Sequence, residues 1–307
     1  MKTTLRFTTW VLLFQLIVVI PLQARKTCPP LGECFDPLLQ TSLETAIAEL
    51  RLEGAVADKS LCVALVDISD RAAPRVAAVN GNEMMYAASL PKIAILLGAF
   101  ERIGQGTLTF NQETRDLLTR MIRNSSNSAA TEALNRVGKS FLANLLQSPK
   151  YRLYDPAQNG GLWVGKEYGK SPAFKRDPLH NLSHGATALQ VARFYYLLEN
   201  GLLVSPEFSR EMKKILGNPA IRHKFVRGLQ GSRPDASIYR KSGTWKQFHA
   251  DSGIIERDGR RYIAVALAAN PNGGKWLTDL IVGLDDAIFQ NPPRLSRLEL
   301  QQDTRLP

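Results

Sequence analysis

The sequence predicts an α+β fold in which one antiparallel sheet is flanked by terminal helices and carries a large all-helical insertion. Three observations predict it. Two short β-rich runs lie early, Ser60 to Asp67 and Arg75 to Val79, and three lie late, Ile238 to Trp245, Ala250 to Glu256 and Tyr262 to Ala269. The stretch between Ser89 and about Leu203 is mostly of helical periodicity. Helical patterns also precede the first strand and follow the last. Early and late strands then combine into one sheet covered by the terminal helices, and the insertion makes a second lobe with a cleft between the two. A chain of 307 residues, 44% hydrophobic and 22% charged, can bury a core of that size.

Taken in order, residues 1–24 read as a secretory signal peptide. Lys2 and Arg6 precede the apolar run Trp10 to Ile20, and Ala24 offers a small residue for cleavage. An uncleaved anchor is the alternative, because the uncharged stretch Phe7 to Ala24 is just long enough to span; either way the body is exported. No cysteine stands at the cleavage point, so a lipid anchor is not expected. The expected organisation is a signal peptide 1–24, an N-terminal segment 25–36, a domain 37–291 and a tail 292–307. Within the domain, a sheet lobe comprises 37–81 and 205–291, and a helical lobe 82–204.

From Pro37, the spacing of Leu39, Leu43, Ile47 and Leu50 predicts an amphipathic helix ending near Gly54. The two early strands form a hairpin across Asp70 to Pro74, and their unbroken apolar character implies cover on both faces. From Ser89 a helix carries Ile93, Leu96, Leu97 and Phe100 as a stripe, while Ala94 and Ile95 leave little polar face, so it belongs inside. Helices follow at Asn111 to Arg123, Ser128 to Leu134, Ser140 to Leu146, Ala186 to Leu198 and Ser205 to Leu216. Tyr154 to Ser183 is the least regular part, and a loop of that length in a compact domain is usually functional. The late strands turn at Asp258-Gly259, and Lys275 to Phe289 forms the last helix.

Cys28 and Cys34 can close a small loop in an oxidising compartment, and Cys62 reads as a buried thiol. Removing residues 1–24 takes away Lys2 and Arg6 and no acid, so the net charge falls from +11 to +9. Such a balance favours anionic envelope polymers or carboxylate substrates. Nucleic acid is not expected, since no Arg/Lys block interleaves with aromatics and no zinc-finger spacing occurs. The four histidines lack metal-ligand spacing, so neither metal nor cofactor is expected; His184 and His249 are assigned to polar loops. Trp163, Trp245 and Phe248 are candidates for lining a groove, with core packing expected of at least one.

Three short motifs carry chemistry. Ser89 and Lys92 stand three residues apart at a helix start, so the amine can reach the hydroxyl. A buried lysine that loses its charge can take the proton of a serine, which is a weak nucleophile without a base. The competing reading is a helix cap and a solvated lysine. Ser125-Ser126-Asn127 falls at a helix–helix break, where Ser125 and Asn127 read equally as caps for the next helix. Lys241-Ser242-Gly243 falls on a strand, where the lysine can be solvated and the glycine a bulge.

The order of these motifs is that of the active-site serine penicillin-recognising enzymes. Over Pro37 to Phe289 the chain resembles the class A β-lactamases and their penicillin-binding-protein relatives, most closely in Met84 to Leu97 and Ser125 to Leu134. The resemblance implies a β-lactamase-like fold and an exported, periplasmic, monomeric serine hydrolase without a cofactor. Its substrate would be a small β-lactam or a peptidoglycan peptide, with no stable membrane insertion after signal cleavage. It implies Ser89 as nucleophile, Lys92 as its base, Ser125 as proton donor to the leaving nitrogen and Lys241 as the cation tuning that hydroxyl. Asn127, Ser242, Gly243 and Thr244 would bind substrate, and the amides of Ser89 and Thr244 would form the oxyanion hole. Gly243 would let the substrate lie close against its strand. Two departures stand out. Ser126 replaces the family's aspartate, and Glu167 offers the deacylating carboxylate without the Leu and Asn that normally follow. Without such a carboxylate the enzyme would be a D-Ala-D-Ala carboxypeptidase, or another peptidase or esterase, with slow β-lactam turnover. A non-catalytic binding protein on the same scaffold is the alternative of another class.

Overall fold

The Asp36 carboxylate accepts the amides of Leu38 and Leu39 and so starts the first helix, with Pro37 at its first position. The computed structural model describes residues 29–291. The signal-peptide stretch, the tail and the Cys28 end of the expected Cys28–Cys34 loop lie outside the described residues.

The elements run α1 (Pro37–Glu49), α2 (Glu53–Ala57), β1 (Leu61–Asp67), β2 (Arg75–Val79), β3 (Met85–Tyr86) and α3 (Lys92–Gly104). Then come α4 (Gln112–Arg123), α5 (Asn127–Val137), α6 (Lys139–Gln147), β4 (Tyr154–Asp155), β5 (Gly160–Gly161), β6 (Trp163–Val164) and β7 (His184–Ala186). The chain continues through α7 (Ala188–Glu199), α8 (Pro206–Leu216), α9 (Phe225–Ser232), β8 (Ser237–Trp245), β9 (Phe248–Arg257), β10 (Arg260–Ala269) and α10 (Gly273–Gln290). Asn111, Thr187 and Ser205 cap α4, α7 and α8 through their side chains.

Early and late strands do combine. One five-stranded sheet has the order β2-β1-β10-β9-β8, antiparallel at every pair. Because side chains alternate along a strand, each central strand feeds two cores. Leu61, Val63 and Leu65 of β1 join α1, α9 and α10 on one face, while Cys62, Ala64 and Val66 face the helices of the insertion. Cys62 is a buried thiol whose pKa burial pushes up to about 12, so it stays protonated.

Several elements differ from expectation. The first helix stops at Glu49, and α2 follows as a separate short piece. The helix after Ser89 begins only at Lys92. Ala186 ends β7 rather than starting α7. The stretch expected to be irregular contains β4 to β6, each of two residues, and β7, of three, follows it directly. Strands this short have no readable alternation, and their pairing partners are remote: β7 pairs with both β3 and β6. Trp163 of β6 is wholly buried, a core residue rather than a groove residue. Helix α9 lacked a cap and a long apolar stripe; Phe225, Val226 and Leu229 bury it against α10.

A buried ion pair binds the edge of the sheet to α9. Asp251 on β9 accepts Arg240 Nε at 2.9 Å and Nη2 at 2.6 Å, and its remaining lone pairs take the amides of Ser252 and Phe225. Both side chains are almost fully buried. Such pairs are sensitive to loss of one partner, because the survivor keeps its charge without compensation. We therefore expect Asp251→Asn to lower unfolding free energy in urea by about 3–5 kcal/mol.

Candidate active site

Ser89 lies in a tight turn just before α3. The amide of Leu90 donates to Ala87 O at 3.0 Å, and that of Lys92 to Ser89 O at 3.3 Å. Ala88 is held at φ +51, a left-handed conformation that costs a residue with a Cβ and that clusters at functional sites. The turn is fixed from behind by β3, whose Met85 and Tyr86 pair with Ala186 and Gly185, and by the Ala87 amide donating to His184 O.

Three motifs distant in sequence meet here. Lys92, fully buried, donates to the Ser125 carbonyl at 2.6 Å and to Asn127 Oδ1 at 2.8 Å, and its Nζ stands 3.4 Å from Ser125 Oγ. Lys241, only 2% exposed, donates to the same Ser125 Oγ at 2.9 Å and to Ser242 O at 2.7 Å. One hydroxyl is thus flanked by two amines. Burial lowers the Lys92 pKa to about 7. Burial also lowers Lys241 well below the ordinary lysine range, and Lys92 and Arg240 push it further down by charge repulsion. For Lys92 burial is the one cause. Its hydrogen bonds also go to Ser125 and Asn127 rather than to Ser89 Oγ.

Ser125 reaches this position because it is not the helix cap. Ser126 caps α5 by accepting the Ala129 amide at 3.2 Å, while Ser125 takes φ +54 and turns inward. Serine and aspartate are interchangeable N-caps, so Ser126 fills the capping task that an aspartate would perform.

On the opposite wall, β8 is the edge strand of the sheet, and Gly243 lets it touch the Ser89 turn. A Cβ at Gly243 would lie 2.1 Å from Ala87 O and 2.9 Å from Ser89 N. The close approach of the Ser89 turn within the fold by itself requires a glycine here. Lys224, unnoticed in the sequence, is buried before α9 and donates to Gly243 O at 2.5 Å, Thr244 Oγ1 at 2.8 Å and Ala250 O at 3.0 Å. Burial lowers its pKa to about 8. No local motif marks it, because its contacts lie 19 and more residues away. With the Lys224 proton on its oxygen, the Thr244 hydroxyl can turn its own hydrogen toward the cleft.

Ser89, Asn127, Glu167, Tyr168, His184, Thr244, Trp245 and Phe248 line one cavity of about 710 Å³. Trp245 stands at its mouth, 58% exposed. His184 is not on a polar loop as expected: it is buried on β7, and burial lowers its pKa to about 4. His249 lies on β9, bordering a second cavity that also contains Thr244. Glu167 faces Lys139 in an ion pair and accepts from Ser171 Oγ at 3.1 Å. Its pKa is lowered, first by the Lys139 contact, which makes the carboxylate a weaker base. Among the described residues no His, Cys, Asp or Glu side chains form a group able to hold a metal. None of their helices is long and apolar enough to cross a membrane.

A neutral Lys92 has two hydrogens, both engaged, and one lone pair left to take a proton. Chemically the arrangement suits transfer of a proton out of one hydroxyl and back through another.

Comparison with known proteins agrees. The model of the β-lactamase enzyme family matches residues 113–291, a stretch that includes Ser125, Asn127 and Lys241 to Thr244 but not Ser89 or Lys92. No curated protein sequence matches the chain. Among solved structures, PBP-A superposes with a TM-score of 0.63 at 16% identity, over 86% of this chain and 100% of that one. A β-lactamase from Sphaerobacter thermophilus gives 0.63 at 17% identity, over 83% and 99%. A representative class A β-lactamase from Bacteroides cellulosilyticus gives 0.63 at 14%, over 83% and 100%. At these identities the likeness is one of fold.

Gly243→Ala should force the strand and the Ser89 turn apart. We expect a loss of about 1–3 kcal/mol in urea unfolding, the usual cost of overpacking, with amide NMR shifts concentrated at Ala87 to Leu90.

Proposed function

The chain belongs to the β-lactamase enzyme family, and from that premise we propose that it is an exported serine hydrolase that opens a β-lactam amide through an acyl-enzyme on Ser89. One observation carries the reading: two buried amines share the Ser125 hydroxyl beside the Ser89 turn.

In this reading Ser89 Oγ attacks the lactam carbonyl carbon while its proton passes to neutral Lys92. The amides of Ser89 and Thr244 hold the developing oxyanion, where one donor is typically worth about 10²–10³ in rate. The C–N bond then breaks. Ser125 gives its proton to the leaving nitrogen and recovers one from Lys92, with Lys241 beside it favouring the alkoxide. Asn127 fixes the Lys92 amine by accepting one of its hydrogens. Lys241, Ser242 and a Thr244 hydroxyl oriented by Lys224 face the substrate carboxylate, and Gly243 keeps this strand against the nucleophile. Water finally cleaves the ester.

A second reading is supported by the Glu167–Lys139 ion pair, which withdraws the carboxylate that would activate that water. The protein would then be a penicillin-binding-type carboxypeptidase or related peptidase, acylated by β-lactams and slow to release them. A purely binding role is disfavoured, because it gives no part to the one hydroxyl that two buried amines share.

Intact-mass spectrometry after mixing with penicillin G tests this. Wild type should gain one penicillin, and Ser89→Ala none; an adduct on Ser89→Ala, or none on wild type, would sink the proposal. The acylation rate should rise with pH through about 7 and level off above it, because the base is neutral Lys92 and protonation below its pKa of about 7 removes the lone pair. Stopped-flow acylation between pH 5.5 and 8.5 should show that rise, and Lys92→Met should abolish it.

A further inference from the structure

Beside Glu167, the next residue has gone the other way. The Tyr168 ring covers Lys92, its centroid 4.5 Å from Nζ. It also meets His184 at 4.3 Å in a tilted contact, and Tyr86 meets His184 edge-on at 6.2 Å and Phe248 at 5.4 Å. The backbone is pinned to α5: Tyr168 N donates to Thr131 Oγ1 at 3.1 Å, and that hydroxyl donates to Tyr168 O at 3.2 Å. The phenol oxygen is buried without a hydrogen-bond partner. An aromatic side chain normally finds a partner for a buried hydroxyl, so the ring, not the hydroxyl, is what this position uses.

Cleaving an ester on Ser89 needs a water held by a base within hydrogen-bond reach. The candidates around the cleft are few. Glu167 is the only carboxylate among its lining residues and is engaged by Lys139 and Ser171. His184 is neutral, and its Nε2 lies 3.1 Å from Lys166 O, which makes that nitrogen the donor; its Nδ1 lies 3.4 Å from Ser183 Oγ. Lys92 keeps one lone pair, and the aromatic face covers the amine's open side. An apolar ring there offers water no hydrogen bond in exchange for its place.

We propose that Tyr168 is a water-excluding positioning residue: its ring seals Lys92 from solvent water, so that an acyl group on Ser89 is formed readily and released slowly. This rests on Ser89 being the acylated residue. It assigns the protein's β-lactam behaviour to capture rather than rapid hydrolysis, and it places the determinant at Tyr168 rather than at Glu167.

The test follows release of penicillin G from the full chain by intact mass after excess drug is removed, for wild type, Tyr168→Phe and Tyr168→Ala. Wild type and Tyr168→Phe should lose the adduct at the same slow rate. Tyr168→Ala should lose it about tenfold faster or more, short of the 10²–10⁴ that a positioned base contributes, with an acylation rate within about threefold of wild type. A merely structural role would instead slow acylation and release together. If Tyr168→Ala does not fold or acylate, Tyr168→Ser is judged by the same ratio. Wild-type release as fast as in the truncated variant overturns the inference while leaving Ser89 acylation intact. Absence of any wild-type adduct overturns the reading beneath it.

Discussion

Two lysine amines, 2.9 and 3.4 Å from one serine oxygen and both out of contact with water, are the constraint around which this molecule is arranged. Each would prefer solvent, and each would repel the other if fully charged. The fold answers with acceptors rather than with a carboxylate: two carbonyls, one amide oxygen and one hydroxyl. The nearest buried anion, Asp251, is already paired with Arg240. A carboxylate in direct contact would hold both amines charged. With polar neutral partners, burial lowers the pKa of both.

Holding that arrangement requires three segments to arrive from different directions. The sheet brings Lys241 on an edge strand that is free to face the insertion. The turn before α3 brings Ser89, and the α4–α5 junction brings Ser125 in a left-handed conformation. Ala88, Ser125 and Lys224 all have positive φ without being glycine, and all three border the site. Such backbone persists only where the surroundings over-determine it. Here the surroundings are the β3–β7 pairing, the Ser126 cap and the three carbonyl and hydroxyl contacts of Lys224. Lys224 ties β8 to β9 at Thr244, where the main cavity and its neighbour meet.

The long segment from Tyr154 to Ser183 supplies the remaining wall. Its short strands leave Glu167 and Tyr168 as sequence neighbours with opposite surroundings. Glu167 reaches a lysine on α6, while Tyr168 joins an aromatic cluster with His184, Tyr86 and Phe248. In that cluster the ring gains contact with the Lys92 amine and with the His184 ring. Of these two adjacent side chains it is Tyr168 that faces Lys92.

Much of this was legible in the sequence, for a physical reason. The antiparallel sheet of early and late strands, α3 with its burial from Lys92 to Glu101, and the capped helices α4, α7 and α8 follow from periodicity and caps, which act over a few residues. The motifs around Ser89, Ser125 and Lys241 were equally visible, because their residue types are chemically scarce in that order. Tertiary structure alone decided the rest. Ser126 rather than Ser125 caps α5; Gly243 packs against Ala87; Lys224, with no motif of its own, locks the sheet edge; and Tyr168, not Glu167, covers Lys92. Each depends on contacts between residues far apart in the chain, and no local pattern encodes which of two neighbouring side chains will turn inward.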